Sequence, residues 1–222
     1  IITEVHILGI GVGYFTLTEV LKQFPEDKGF VVSDDGKTIE LDLGQQSEES
    51  FELTPDQTRT LIENNQTINL KKDEVQASVP ASSFDNYDEP VTIDINEVPS
   101  DPNSLSNTYD FTIKQGTRTI SQFEEGITLT FNVNAERANN PNNLKVFYFN
   151  EETNKWEKVP GSSYNNGAVT VVTYHFSIFT VFEVTEGNGD EDPLGNGNTP
   201  GNEDPPHGGN KEVPDKDDVS VK

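Results

Sequence analysis

Thr173-Tyr174-His175-Phe176-Ser177-Ile178-Phe179-Thr180-Val181-Phe182 decides how the chain is read. From Phe176 to Val184 the apolar side chains fall on both faces of an extended strand, Phe176, Ile178, Phe182 and Val184 against Phe179 and Val181. A strand with one wet face alternates, whereas a strand covered on both sides does not. The run is therefore expected to be an unbroken central strand that closes a β-rich body.

Upstream, the pattern is that of strands with one wet face. Ile127-Thr128-Leu129-Thr130-Phe131-Asn132-Val133 alternates apolar and polar without error, and Tyr109-Asp110-Phe111-Thr112-Ile113 and Val91-Thr92-Ile93-Asp94-Ile95 do the same. Leu144–Phe149 and Lys155–Val159 flank a turn at residues 150–154, and Val169–Val172 follows the hairpin signal Asn165-Asn166-Gly167. Trp156, the single tryptophan, is expected to anchor one end of the core. Phe30-Val31-Val32 and Thr38–Leu43 read as a hairpin about the turn Ser33-Asp34-Asp35-Gly36, which lacks the repeated oxygens and closing Glu of a calcium loop. Strands are also expected at Thr67–Leu70 and Val75–Val79, the second ended by Pro80, which has no N–H to donate.

One helix is marked strongly. Thr54-Pro55-Asp56-Gln57 supplies an N-cap hydroxyl, a proline at the first helical position and a glutamine that completes a capping box. Asn64-Asn65 stops that helix, because Asn tolerates left-handed geometry. Leu17, Val20, Leu21 and Phe24 allow a second helical turn or two before Pro25. Ahead of it, Gly9, Gly11 and Gly13 form a G-x-G-x-G, but the dinucleotide fingerprint needs glycine at position 14, which is Tyr14. Glycines spaced by two in a strand mark bulges instead.

Composition bounds the function. The 222 residues hold 39 Asp and Glu against 15 Lys and Arg, a formal charge of −24, which repels nucleic acid and anionic membrane alike. No Cys is present, so thiolate chemistry, disulfides and Cys-ligated metals are excluded. No apolar run is long enough to span a membrane. The sequence begins at Ile1 and contains no Met, as expected of a processed or excised piece. Residues 187–222 carry seven Gly, five Pro, nine acids and no aromatic residue, a composition that cannot offset the entropy of ordering and predicts a solvated tether. Its acids at Asp190-Glu191-Asp192 suggest at most weak Ca²⁺ association; no cofactor is expected. Asn65-Gln66-Thr67 is a glycosylation sequon that matters only in a glycosylating host.

Between Leu53 and Val184 the order of these blocks resembles a β-rich module of Gram-positive bacterial surface proteins, often found upstream of S-layer homology domains or beside extracellular enzymes. The first block is Leu53-Thr54-Pro55-Asp56-Gln57, Leu61-Ile62, Gln66–Leu70 and Val79-Pro80-Ala81. The second runs from Tyr109–Ile113, Ile120–Phe123 and Ile127–Leu129 through Val146–Tyr148, Trp156 and Gly167–Val171 to His175-Phe176-Ser177-Ile178-Phe179. Residues 1–45 fall outside this resemblance. It implies extracellular placement and a spacer role, with no catalytic residues to carry over. The triplet His175-Phe176-Ser177 is also similar to the cleavage site of autoproteolytic ZU-type domains and certain nucleoporins. That likeness implies His175 as base, Ser177 as nucleophile and Phe176–Ser177 as the scissile bond.

For intermolecular catalysis the residues offer little. His6 and His207 lie far from His175 in sequence, so no histidine pair has metal-ligand spacing, and most acids sit at turns or alternate strand positions. No Lys sits on a core face, as an intramolecular isopeptide bond would need. The chain is thus expected to be all-β and mainly antiparallel, with one or two β-sandwich-like units, one short capped helix and a disordered C-terminal tail. The expected divisions are 1–45, the end of a preceding module or an N-terminal subdomain; 46–104, a first subdomain; 105–186, a second; and 187–222, linker. The expected role is a non-catalytic extracellular module of a bacterial cell-surface or cell-wall protein. Its partners would be the neighbouring domains of the same polypeptide, with cell-wall glycan or a host protein at the loops if it is an adhesin. The alternative is self-cleavage at Phe176–Ser177.

Overall fold

In a computed structural model the described residues are 16–45, 50–84 and 88–184. The glycine-rich opening, His6, the tail 187–222 with its acids, and His207 lie outside them.

The described chain forms fourteen strands and two α-helices. They are α1 (Leu17–Gln23), β1 (Phe30–Val32), β2 (Thr38–Asp42), β3 (Phe51–Leu53), α2 (Pro55–Glu63), β4 (Thr67–Lys72), β5 (Val75–Pro80), β6 (Val91–Val98) and β7 (Thr108–Gln115). There follow β8 (Arg118–Ile120), β9 (Gln122–Asn132), β10 (Leu144–Asn150), β11 (Lys155–Lys158), β12 (Ser163–Asn165), β13 (Ala168–His175) and β14 (Ile178–Glu183). One sheet has the order β1-β2-β4-β5-β9-β13-β12, and the other β11-β10-β14-β7-β6-β3, with β8 beside β7. Every pairing is antiparallel except β2 with β4. The all-β, mainly antiparallel sandwich expected from the sequence is what forms.

Local signals explain the ends of elements. Thr54 caps α2 through its side chain while Gln57 reaches back to the Thr54 N–H at 2.9 Å, the reciprocal bond of a capping box. Asn65 ends the helix at φ 51°, the left-handed geometry expected of it. Asn166 and Gly167 take φ 48° and 86° between the paired residues Asn165 and Ala168, a two-residue hairpin turn. α1 carries a second capping box, Thr16 with Glu19. The two helices are tied together by the Gln57 amide, which donates to the Gln23 carbonyl at 2.9 Å.

One apolar cluster joins both sheets and both helices, from Val20 and Phe24 through Ile39, Leu61, Ile93, Phe111 and Phe131 to Phe179 and Val181. The chain crosses between sheets at β2–β3, β3–β4, β5–β6, β8–β9, β9–β10, β11–β12 and β13–β14. Both sheets therefore contain strands from before and after residue 104, and β2 pairs with β4 across residue 45. The divisions expected at those two points do not separate the core.

Two expectations need correction. The run from Phe176 to Val184 is not one strand: β13 ends at His175 in the first sheet, β14 begins at Ile178 in the second, and Phe176-Ser177 carry the chain across. Its apolar residues on both faces come from burial on both sides of β14, which lies between β10 and β7, rather than from continuous pairing. Trp156 does not anchor the main core. It packs on Phe149 and Phe182 at centroid distances of 5.4 and 5.5 Å, on the side of the second sheet turned away from Phe179 and Val181. Phe147 and Phe182 complete this smaller aromatic cluster, both almost fully buried.

Candidate functional site

The triplet His175-Phe176-Ser177 stands at a corner made twice. One residue, Ser121, takes the chain from β8 in the second sheet to β9 in the first, and Phe176-Ser177 take it back from β13 to β14. The two crossings are hydrogen-bonded to each other, the Phe176 N–H donating to the Ser121 carbonyl at 3.2 Å. The Ser177 carbonyl accepts from the Phe111 N–H, also at 3.2 Å. Just before the corner the ladder is irregular: Gln122 pairs with His175 and Ile127 with Thr173, so residues 123–126 of β9 stand opposite Tyr174 alone. This bulge bends the sheet at the point where its strands leave it. Thr173 steadies it, its hydroxyl donating to the His175 carbonyl at 3.0 Å.

Each member of the triplet is occupied. Phe176 packs against Phe123 and Phe111, at 4.9 and 5.5 Å between centroids, and plugs the corner from inside. Ser177 Oγ donates to the Phe149 carbonyl on β10 at 2.9 Å. The His175 ring meets the edge of Tyr148 at 4.5 Å and stacks on Phe179 at 5.8 Å. His175 and Ser177 are neighbours in sequence, but no hydrogen bond links the imidazole to the hydroxyl among the described residues. The Phe176–Ser177 bond is trans, and neither residue has a positive φ.

Around the triplet opens a cleft of about 520 Å³, bordered by Asp110, Tyr148, Glu151 and Glu152 as well as by His175 and Ser177. Two of its lining residues, Tyr148 and Asn150, belong to a polar network with Glu157. The Tyr148 hydroxyl donates a short hydrogen bond to Glu157, directly opposite it on β11, and the Asn150 amide donates to the same carboxylate at 2.7 Å. The Tyr148 hydroxyl, the Asn150 amide and the Thr153 hydroxyl hold the Glu157 carboxyl below its ordinary range, with help from the charge of His175. The same bond and partial burial raise the Tyr148 phenol. Burial, with the Glu151 and Asp94 carboxylates adding to it, raises Asp110. A sequence signal for the Tyr148–Glu157 pair does exist. If Phe149 is placed opposite Trp156 about the turn 151–154, Tyr148 must face Glu157.

Chemically, the cleft offers the carboxyl groups of Asp110, Glu151 and Glu152, the Tyr148 phenol already donating to Glu157, and an imidazole in aromatic contact. Among the described residues no cluster of three or more His, Asp or Glu side chains is placed to hold a metal ion. Nor is any described helix long and apolar enough to cross a membrane.

No protein-family model matches the chain. A protein of Evansella cellulosilytica named "Putative membrane protein" is 30% identical over 182 residues, 75% of this chain and 27% of that protein. An amylopullulanase of Thermoanaerobacterium thermosulfurigenes is 29% identical over 168 residues, 70% of this chain and 9% of its own length. The trifunctional nucleotide phosphoesterase protein YfkN of Bacillus subtilis is 32% identical over 108 residues, 48% of this chain and 7% of its own length. The chain thus spans about a quarter of the first relative and less than a tenth of the other two, and corresponds to a segment within larger, differently named proteins.

Proposed function

We propose that this chain is a non-catalytic β-sandwich module of an extracellular, surface-associated bacterial protein, one that spaces and presents neighbouring domains. The observation that carries the reading is that parts of this chain are similar to short stretches of proteins whose names describe unrelated activities, an amylopullulanase and a nucleotide phosphoesterase. A stretch that makes up less than a tenth of each of two proteins with such different names is an unsuitable source of either activity, and a suitable source of something both need, such as placement. The occupied triplet agrees with it, since each side chain that could act is engaged in packing or hydrogen bonding at a structural corner.

The reading is tested by limited trypsin treatment of intact cells carrying the parent protein. Peptides of this chain released before any cytoplasmic marker are the expected result. Release only after lysis would count against surface placement.

A second reading, self-cleavage between Phe176 and Ser177, rests on one observation: that bond sits in a two-residue crossing beside an open cleft, not within a ladder. Intact mass under denaturing conditions separates the two. A single species at 24.6 kDa is expected of the spacer, and two fragments dividing at Ser177 of the self-cleaving domain.

A further inference from the structure

On the outer face of the first sheet, two adjacent rows of side chains carry no charge. Alternation buries Val75, Ala77, Leu129 and Val171 and turns their neighbours outward. The register sets Gln76, Thr130, Thr170 and Ser163 in one row across β5, β9, β13 and β12. The next row holds Ser78, Thr128 and Val172. Charge resumes at Lys71 beside Gln76, at Glu40 beyond Asn69, and at the exposed Glu124 and Glu125 in the bulged stretch of β9. In a chain with 39 acidic and 15 basic residues, a charge-free run of this breadth needs a reason.

At the end of these rows stands Tyr174, 58% exposed, with Val172 beside it at 45%. Its ring rests on Gly126, in the bulged stretch of β9. A Cβ at that glycine would lie 3.4 Å from Tyr174 Cε1 and Cζ and only 2.2 Å from Val172 Cγ1. A side chain there would have to displace Val172, while the Tyr174 ring lies over the glycine at ordinary contact distance with more than half its surface open.

We propose that this face binds a neutral polysaccharide, with Tyr174 as the stacking platform and the Thr, Ser and Gln rows as its hydrogen-bonding track. Hydroxyl and amide side chains each donate and accept, which is what a sugar hydroxyl asks of a partner. They repeat about every 4.8 Å from strand to strand, the scale of one pyranose ring. The C–H face of such a ring is apolar and covers a tyrosine as no ion does. Charge selects the same occupant. A polyanion is repelled by the net charge of −24, and the two rows offer no charged group to pair with an ion of either sign, so an uncharged chain suits them best.

The test is co-sedimentation of the full chain with raw starch, microcrystalline cellulose and chitin as neutral probes and with insoluble pectate as the anionic one. Saturable retention on at least one neutral polymer, little changed by 0.5 M salt, with none on pectate, is expected. Tyr174→Ala and, separately, Thr130→Glu weaken it at least tenfold, while Ser177→Ala, at the corner, leaves it unchanged; melting curves check that each variant is folded. No retention on any neutral polymer overturns the proposal. So does retention that both face variants keep, or that Ser177→Ala also loses. A concentration-dependent dimer dissolved by Tyr174→Ala would overturn it too, because the face would then belong to a second copy of the chain.

Discussion

Ser177 illustrates how a residue can bear a catalytic likeness and a structural duty at once. Its hydroxyl ties the crossing to the Phe149 carbonyl on β10, so Ser177→Ala leaves a half-buried acceptor without that donor. A loss of about 1 kcal/mol in chemical denaturation is expected, with the same single intact mass before and after substitution. Two fragments in the unsubstituted protein and one species in the variant would make Ser177 a nucleophile instead. Asp110 gives a prediction with a sign. Burial and its acidic neighbours raise its folded-state pKa, so the folded state holds its proton more tightly than the unfolded chain does. The resulting contribution is favourable below the ordinary aspartate range and is lost as pH rises through the raised value. Asp110→Asn should therefore raise Tm at pH 7, by about 1–2 °C once solvent screening is allowed for, and leave it unchanged near pH 3. A gain of equal size at both pH values would show that the carboxylate's charge is not the cause.

Among the elements, β14 depends on what is fastened to its ends. At its C-terminal end Glu183 accepts from the Asn139 N–H at 2.9 Å, the Asn139 side chain at 3.0 Å and the Asn140 N–H at 2.6 Å. Partial desolvation works against the ionised form, but these three donors outweigh it and hold the carboxyl below its usual range. Glu183→Ala should cost about 1 kcal/mol, since water can take the place of the lost acceptor, and amide exchange should accelerate first at residues 139–143. If exchange there stays as slow as in β10, the clamp is not what orders the loop. Elements of this kind also show what a sequence conveys. The α2 cap, the Asn65 stop, the Asn166-Gly167 turn and the alternating strands were legible because each rests on neighbours in sequence. The break at Phe176-Ser177 was not, because β13 and β14 are told apart only by their partners, β9 in one sheet and β10 with β7 in the other. The parallel pairing of β2 with β4 was hidden for the same reason, α2 and β3 lying between them. The candidate triplet could be read, while the Tyr148–Glu157 network around it needed the β10–β11 register.

For the whole molecule, the consequence lies in how often the chain changes sheets. A boundary near residue 104 is the natural reading of the polar stretch Pro99-Ser100-Asp101-Pro102-Asn103-Ser104, yet β5 pairs with β9 and β6 with β7 across it. Residues 46–104 and residues 105–186 each supply strands to both sheets, and one apolar cluster is shared between them. Folding should accordingly be cooperative over the body and slow for its size, since so many of its pairings join strands distant in sequence. In calorimetry the body is expected to unfold in one transition whose measured enthalpy equals the van't Hoff value. Trp156 emission, which reports the outer aromatic cluster of the second sheet, should share its midpoint with far-UV circular dichroism. Deleting residues 187–222 should move that midpoint by no more than about 1 °C, because a segment so poor in apolar residues has little to bury. An early transition that leaves Trp156 emission untouched would mean that part of the first sheet unfolds by itself, and the divisions suggested by the sequence would then describe how the molecule comes apart.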